Sequence, residues 1–241
     1  MWYHFSHMHT NHHNEDITNK YFLPAAVVLA GLFIAGAVLW NGSHPAQQGA
    51  APTAPKVNVK DVKTGGDPFI GRADALVTIA VWSDFQCPFC KKFEVETLSQ
   101  IIKNYVDTGK VKVVFLDFTF LGSDSTEAAL YNRAVWNLYP ERYLAWREAM
   151  FNAQDDEGDQ GFGDAASIDK LNATVAGLDT AKIAADVKAN AATYQAAVDA
   201  DKAEAGKVGV NATPSAIVGT ELIQGAYPYV NFKAAIDAAL K

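Results

Sequence analysis

Apolar residues follow two different patterns along the 241-residue chain. Residues 21–40 form one apolar run without a charged side chain. From about residue 67 onward, short apolar runs of strand length alternate with stretches in which apolar residues keep a helical spacing. The two patterns predict a membrane anchor and a separate folded domain.

The apolar run at residues 21–40 is long enough to cross a bilayer as a single helix. A helix of this length, at about 1.5 Å per residue, spans about 30 Å, the thickness of the hydrocarbon core. Tyr21 and Trp40 stand at its ends, where aromatic side chains favour the interface. A cleaved secretory signal is the alternative, but its apolar core would run about 7–15 residues behind a basic start. Lys20 predicts a cytoplasmic N-terminus and an extracytoplasmic C-terminal part.

Polar segments flank the predicted anchor. Residues 41–66 open with a stretch rich in Gly, Ser, Pro, Ala and Gln, which predicts a flexible linker. Residues 1–20 form a polar tail whose histidines are His4, His7, His9, His12 and His13. These histidines fit either metal binding or a disordered tail without function. The predicted folded domain then covers residues 67–241.

The folded domain is predicted to be of the α/β class. Residues 76–82 (LVTIAVW) and 111–118 (VKVVFLDF) are apolar and rich in β-branched residues, as expected of buried strands. A helical pattern connects them, so the unit implies parallel strands with a right-handed crossover. The remaining predicted elements are a helical block at about residues 123–207, strands at 215–218 and 221–224, and an amphipathic helix at 231–240.

Composition and charge narrow the possible functions. Hydrophobic residues make up 49% of the chain and charged residues 20%, which indicates a folded protein. The net charge of −7 argues against a nucleic-acid binder that works through bulk basicity. Only two cysteines are present, too few for a disulfide scaffold or a four-cysteine zinc site.

The two cysteines form one motif, Cys87-Pro88-Phe89-Cys90, where the first predicted strand meets its helix. This spacing brings the two sulfurs within disulfide reach, and a helix N-terminus stabilises a thiolate. Pro88 suits the first helical position because it lacks an amide hydrogen. Zinc would need two further ligands, and no histidine follows His44. The context therefore favours a redox pair over a zinc site or a purely structural bridge.

Three features together resemble the DsbA-like branch of the thioredoxin superfamily: the segment 83–90 (SDFQCPFC), the helical block, and the segment 209–215 (GVNATPS). The resemblance implies a thioredoxin-like fold with an inserted helical domain and thiol–disulfide oxidoreductase activity. It implies no cofactor beyond the redox-active disulfide Cys87–Cys90. It further implies that Pro214 is a cis-proline, with Thr213 and Pro214 positioning the substrate chain. The implied partners are cysteine-containing exported or unfolded proteins and a membrane redox partner that recycles the pair.

Residues around the cysteines are predicted to support the chemistry. Pro88 and Phe89 bring no charge to a position where some DsbA enzymes carry histidine. Phe85 and Phe89 are expected to line an apolar contact surface. Asp84 is the nearest carboxylate, and it is either a proton acceptor or a residue that stabilises the turn.

The sequence favours a disulfide-donating oxidase and leaves two alternatives open. In the favoured mechanism Cys87 accepts attack by a substrate thiolate, and Cys90 is its resolving partner. One alternative is a reductase or isomerase with the same fold. The other is a noncatalytic, tethered polypeptide-binding module in which Cys87 and Cys90 form a permanent bridge.

Overall fold

The structure, a computed structural model, describes residues 57–155 and 162–241. The predicted tail and the predicted anchor at residues 21–40 lie outside this part of the chain. Among the helices that the structure describes, none combines the length and the apolar character needed to cross a membrane.

A five-stranded mixed sheet forms the centre of the domain. Its strands are β1 (Phe69–Ile70), β2 (Val77–Ser83), β3 (Val111–Asp117), β4 (Ser215–Val218) and β5 (Glu221–Gln224). Their order across the sheet is β1-β3-β2-β4-β5. The parallel pairing of β2 with β3 is confirmed, and the other three pairs are antiparallel. β1 was not predicted, because two residues are too few to show a periodic pattern.

Helices pack around this sheet in the predicted order. The first, α1, begins at Pro88–Lys92 and continues through Phe93–Leu98, Ser99–Ile101 and Ile102–Val106, with π-type turns in the second and fourth segments. The others are α2 (Ser123–Leu138), α3 (Tyr143–Ala153), α4 (Ala165–Asn172), α5 (Thr180–Lys207) and α6 (Tyr229–Ala239). Helices α2 to α5 lie between β3 and β4 along the chain, so they form the predicted helical insertion.

The central strand β2 is buried on both of its faces. Ile79 and Val81 belong to the larger apolar cluster, which includes residues of α1, α3 and α6. Ala80 and Trp82 belong to a second cluster on the opposite face. Because successive side chains of a strand point to opposite faces, the nearly continuous apolar run of β2 fills both clusters.

The folded domain begins earlier than residue 67. Val57, Val59 and Val62 are buried in the second cluster, and the amide of Val59 donates to the carbonyl oxygen of Gly219 at 2.8 Å. The predicted linker boundary is therefore too late, and residues 57–66 belong to the folded domain. Three valines scattered among Lys and Asp residues give neither a helical nor a strand period.

A buried ion cluster joins the helical insertion to the sheet. Arg133 of α2 donates to Asp67 at 2.6 Å, to Asp117 of β3 at 2.8 Å, and to Asp201 of α5. All four side chains are buried. Burial and the neighbouring Asp117 raise the pKa of Asp201 to about 8. One guanidinium thus compensates three closely spaced carboxyl groups.

Replacement of Arg133 by Met is expected to lower the free energy of unfolding by about 3–5 kcal/mol, because it leaves buried carboxylates without their cation. Urea unfolding of the variant measures this loss. Arg72→Met is the matched control, since Arg72 forms an exposed pair with Asp74 and exposed pairs contribute little. Equal unfolding midpoints for the two variants would contradict a structural role for the cluster.

Candidate active site

The cysteine pair lies at the C-terminal end of β2, where a short loop enters α1. Cys87 is the N-cap of the helix, with φ −85° and ψ 118°, and Pro88 is the first helical residue, as predicted. The amide of Cys87 donates to the carbonyl oxygen of Asp84 at 3.1 Å, which closes the turn before the helix. Both cysteines carry free thiols and are buried.

The two sulfurs have opposite acid–base character. The pKa of Cys87 is lowered to about 6, chiefly by a hydrogen bond from the Cys90 thiol. The Thr213 side chain and the amides of Cys90 and Phe89 lower it further, whereas burial acts in the opposite direction. Burial raises the pKa of Cys90 well above the ordinary thiol value, and the adjacent Cys87 sulfur raises it further. At neutral pH the reduced pair therefore holds one thiolate, on Cys87, and one thiol, on Cys90.

A second loop approaches the pair from β4. Trp82 of β2 stands opposite Ser215 of β4, so the residues just before β4 lie beside the end of β2. The peptide bond between Thr213 and Pro214 is cis. The Cys87 thiol donates to the carbonyl oxygen of Thr213 at 3.5 Å. The Thr213 hydroxyl is buried and makes no hydrogen bond to the described residues in this thiol form, so it is available to a thiolate.

The two phenylalanines near the pair lie in different environments. Phe89 is 64% exposed and presents its ring at the surface beside the cysteines. Phe85 is buried, and its ring packs at 5.0 Å from Phe151 and 5.5 Å from Trp146, both in α3. The expectation that Phe85 lines a contact surface is therefore wrong, because the helical insertion covers its ring.

Asp84 stabilises the loop that carries the pair. One of its carboxylate oxygens accepts from the amide of Gln86 at 2.9 Å and the other from the amide of Phe120 at 3.1 Å. Burial raises the pKa of Asp84 in spite of these bonds. Of the two predicted alternatives, these contacts support the turn-stabilising one, since both oxygens bind backbone amides.

A buried ion pair beneath the site was not predicted. Arg147 of α3 donates to Glu94 of α1 at 3.0 Å and to the Ser83 hydroxyl at 3.1 Å. Its guanidinium lies 3.9 Å from the centroid of the Phe115 ring. The sequence feature that could have indicated this pair is Glu94, a charged residue on the apolar side of α1, one helical turn after Cys90.

Within residues 57–155 and 162–241 no three His, Cys, Asp or Glu side chains are arranged to hold a metal ion. The five histidines of the predicted tail lie outside these ranges.

Comparisons with known proteins agree on one family. The family model described as "Thioredoxin" matches residues 63–238. "Disulfide bond formation protein D" of Bacillus subtilis is 30% identical over 181 residues, which cover 73% of this chain and 78% of that protein. "Probable disulfide bond formation protein D" of Bacillus anthracis is 24% identical over 172 residues, covering 71% of this chain and 77% of that protein.

Solved structures show the same fold. The crystal structure of oxidised BdbD from Bacillus subtilis matches with a TM-score of 0.68 and 27% identity, over 74% of this chain and 95% of that chain. The thiol–disulfide exchange protein alpha-DsbA2 from Wolbachia pipientis matches with a TM-score of 0.61 and 25% identity, over 71% and 86% of the two chains. The predicted fold class, a thioredoxin-like fold with an inserted helical domain, is confirmed.

Two substitutions at Cys90 test how much of the lowered Cys87 pKa comes from a hydrogen-bond donor at position 90 and how much requires the Cys90 sulfur itself. Cys90→Ser keeps a hydroxyl donor beside Cys87, whereas Cys90→Ala removes it. We expect the Cys87 pKa to stay well below the ordinary thiol value in the Ser variant and to rise in the Ala variant. Ultraviolet absorbance of the thiolate, followed across pH, measures both values.

The wild-type protein provides the reference for this titration. Its Cys87 thiolate should disappear as the pH falls through about 6, and alkylation of Cys87 should slow over the same range. A curve for the Ala variant identical to that of the wild type would show that Cys90 does not stabilise the thiolate.

Proposed function

The chain belongs to the thioredoxin family and is a thiol–disulfide oxidoreductase, and from this premise we propose that it is an oxidase that donates the Cys87–Cys90 disulfide to exported proteins. The observation that carries the direction is the lowered pKa of Cys87, about 6. Stabilising the thiolate stabilises the reduced form of the pair, and a stable reduced form makes the disulfide a stronger oxidant. The names of the relatives, disulfide bond formation proteins, support the same direction.

The reaction begins with the oxidised pair. A substrate thiolate attacks the Cys87 sulfur, a mixed disulfide forms, and the Cys87–Cys90 bond breaks with its electrons on the Cys90 sulfur. Because the pKa of Cys90 is raised, this sulfur takes up a proton. A second substrate thiolate then attacks the substrate sulfur of the mixed disulfide, and Cys87 leaves as a thiolate. Two electrons have moved from the substrate dithiol to the enzyme.

The surroundings of Cys87 support a polypeptide substrate. Thr213 lies next to the Cys87 sulfur, where an extended chain can bind along the loop that Thr213 and Pro214 form. The exposed ring of Phe89 offers an apolar contact beside the reacting sulfur.

We also infer that residues 21–40 anchor the protein in the membrane, with the N-terminus in the cytoplasm and the catalytic domain outside. The length and composition of this run and the position of Lys20 support the inference. An extracytoplasmic compartment supplies newly exported substrates and maintains disulfides. A membrane redox partner would then reoxidise the Cys87–Cys90 pair after each turnover.

Substitution of each cysteine in the full-length protein should produce a different defect. Cys87→Ser removes the attacked sulfur and is expected to abolish oxidation of a reduced, unfolded substrate protein. Cys90→Ser leaves Cys87 without its resolving partner. When this variant is mixed with a substrate that carries a disulfide, the Cys87 thiolate should attack that disulfide and release one substrate thiolate, and the resulting adduct should accumulate on non-reducing gels. Full activity of Cys87→Ser would exclude the proposed chemistry and favour a noncatalytic module.

The reduction potential of the pair tests the direction of the reaction. Full-length protein in detergent is equilibrated with glutathione buffers, and the reduced fraction is read from thiol alkylation. We expect a value near about −120 mV, as in a strong disulfide donor. A value near about −270 mV, as in a reductant, would favour the reductase or isomerase alternative.

A further inference from the structure

The loop that precedes Cys87 is held by a residue of the helical insertion. Gln154 directly follows α3, and its side-chain amide donates to the carbonyl oxygen of Phe85 at 2.7 Å. Gln154 is 6% exposed, so this bond is protected from water. A hydrogen bond from a buried amide fixes the backbone two residues before Cys87.

The backbone of the same residue holds the other end of the motif. The ammonium group of Lys91 donates to the carbonyl oxygen of Gln154 at 2.9 Å. Lys91 directly follows Cys90 in α1. Gln154 therefore makes hydrogen bonds on both sides of the segment that carries the two sulfurs.

A neighbouring part of the insertion contacts the same loop. The side-chain amide of Gln86 donates to the carbonyl oxygen of Phe162 at 3.0 Å. A β-carbon added to Gly163 would lie 2.1 Å from the Gln86 amide nitrogen, so only glycine permits this approach. The Phe162 amide donates to Asp155 at 3.1 Å, which ties this contact to the residue next to Gln154.

We propose that Gln154 is a positioning residue of the redox reaction, which holds the loop so that the hydrogen-bond donors around Cys87 stay directed at its sulfur. The proposal rests on the proposed function. The amides of Phe89 and Cys90 and the Cys90 thiol are all carried by the segment between the two contacts of Gln154. Hydrogen bonds weaken steeply as their angle departs from linearity, so a small tilt of this segment weakens several donors together.

The effect of such a tilt should differ between the two redox states. In the reduced state the Cys87 sulfur is a thiolate, which needs these donors. In the oxidised state the sulfur is neutral and gains much less from them. Loss of the Gln154 contact should therefore destabilise the reduced pair more than the oxidised pair, and the protein should become a weaker oxidant.

Gln154→Met in the full-length protein tests this role. Methionine has a similar volume and keeps the backbone carbonyl that accepts from Lys91, but it cannot donate to Phe85. We expect the Cys87 pKa to rise toward the ordinary thiol value. The equilibrium constant for disulfide transfer to a dithiol should fall by about fivefold, the size of one ordinary hydrogen bond.

Gln100→Met is the matched control. Gln100 is exposed on α1, and its side-chain amide also donates to a backbone carbonyl, that of Glu96. This variant loses the same kind of bond far from the redox loop, so the Cys87 pKa and the equilibrium constant should not change. If Gln154→Met does not fold, Lys91→Met removes the second contact, with Lys92→Met as the control for the lost charge.

The outcomes separate a positioning role from a merely structural one. A lower melting temperature with an unchanged Cys87 pKa and an unchanged glutathione equilibrium would overturn the proposal. A rise in the pKa in Gln154→Met, absent from Gln100→Met, would support it. If the wild-type pair had the reduction potential of a reductant, the oxidase proposal would be wrong, but the proposal for Gln154 would not. The comparison of Cys87 pKa values between the variants would still test the role of Gln154.

Discussion

Several hydrogen-bond donors converge on the sulfur of Cys87, and the chemistry of the pair depends on this convergence. The donors include the Cys90 thiol and backbone amides at the start of α1, and the Thr213 carbonyl oxygen beside them accepts from the Cys87 thiol. They come from two chain segments far apart in sequence, which the pairing of β2 with β4 brings together. The cysteine motif alone would supply only part of this environment.

The helical insertion is fixed to the sheet through buried charges as well as apolar contacts. Arg133 binds the carboxyl groups of Asp67, Asp117 in β3 and Asp201 in α5, and Arg147 binds Glu94 beneath the redox loop. Buried ion pairs need good geometry to compensate the loss of hydration, so they tolerate little displacement of α2 and α3. The insertion is thereby held in a defined position over the loop that carries Cys87.

Local patterns in the sequence were enough to predict β2, β3, the helical block and the cysteine pair. The strands were long and apolar on both faces, and the motif fell at a strand–helix junction. Contacts between distant residues were not predictable in this way. Gln154 and Phe85 are 69 positions apart, and a periodic pattern of apolar residues does not predict a hydrogen bond between such distant residues. The burial of Phe85 went unrecognised for the same reason, because α3 covers its ring.

The contact between Val59 and Gly219 determines where the polypeptide enters the domain. Gly219 follows Val218, which pairs with Ile79 near the start of β2, whereas Cys87 lies beyond the opposite end of that strand. The seven residues of β2 separate the two points by roughly 20 Å, at about 3.3 Å per residue. A mechanical load applied through residue 57 would act on the turn at Gly219. That turn and the cysteine pair therefore lie at opposite ends of β2.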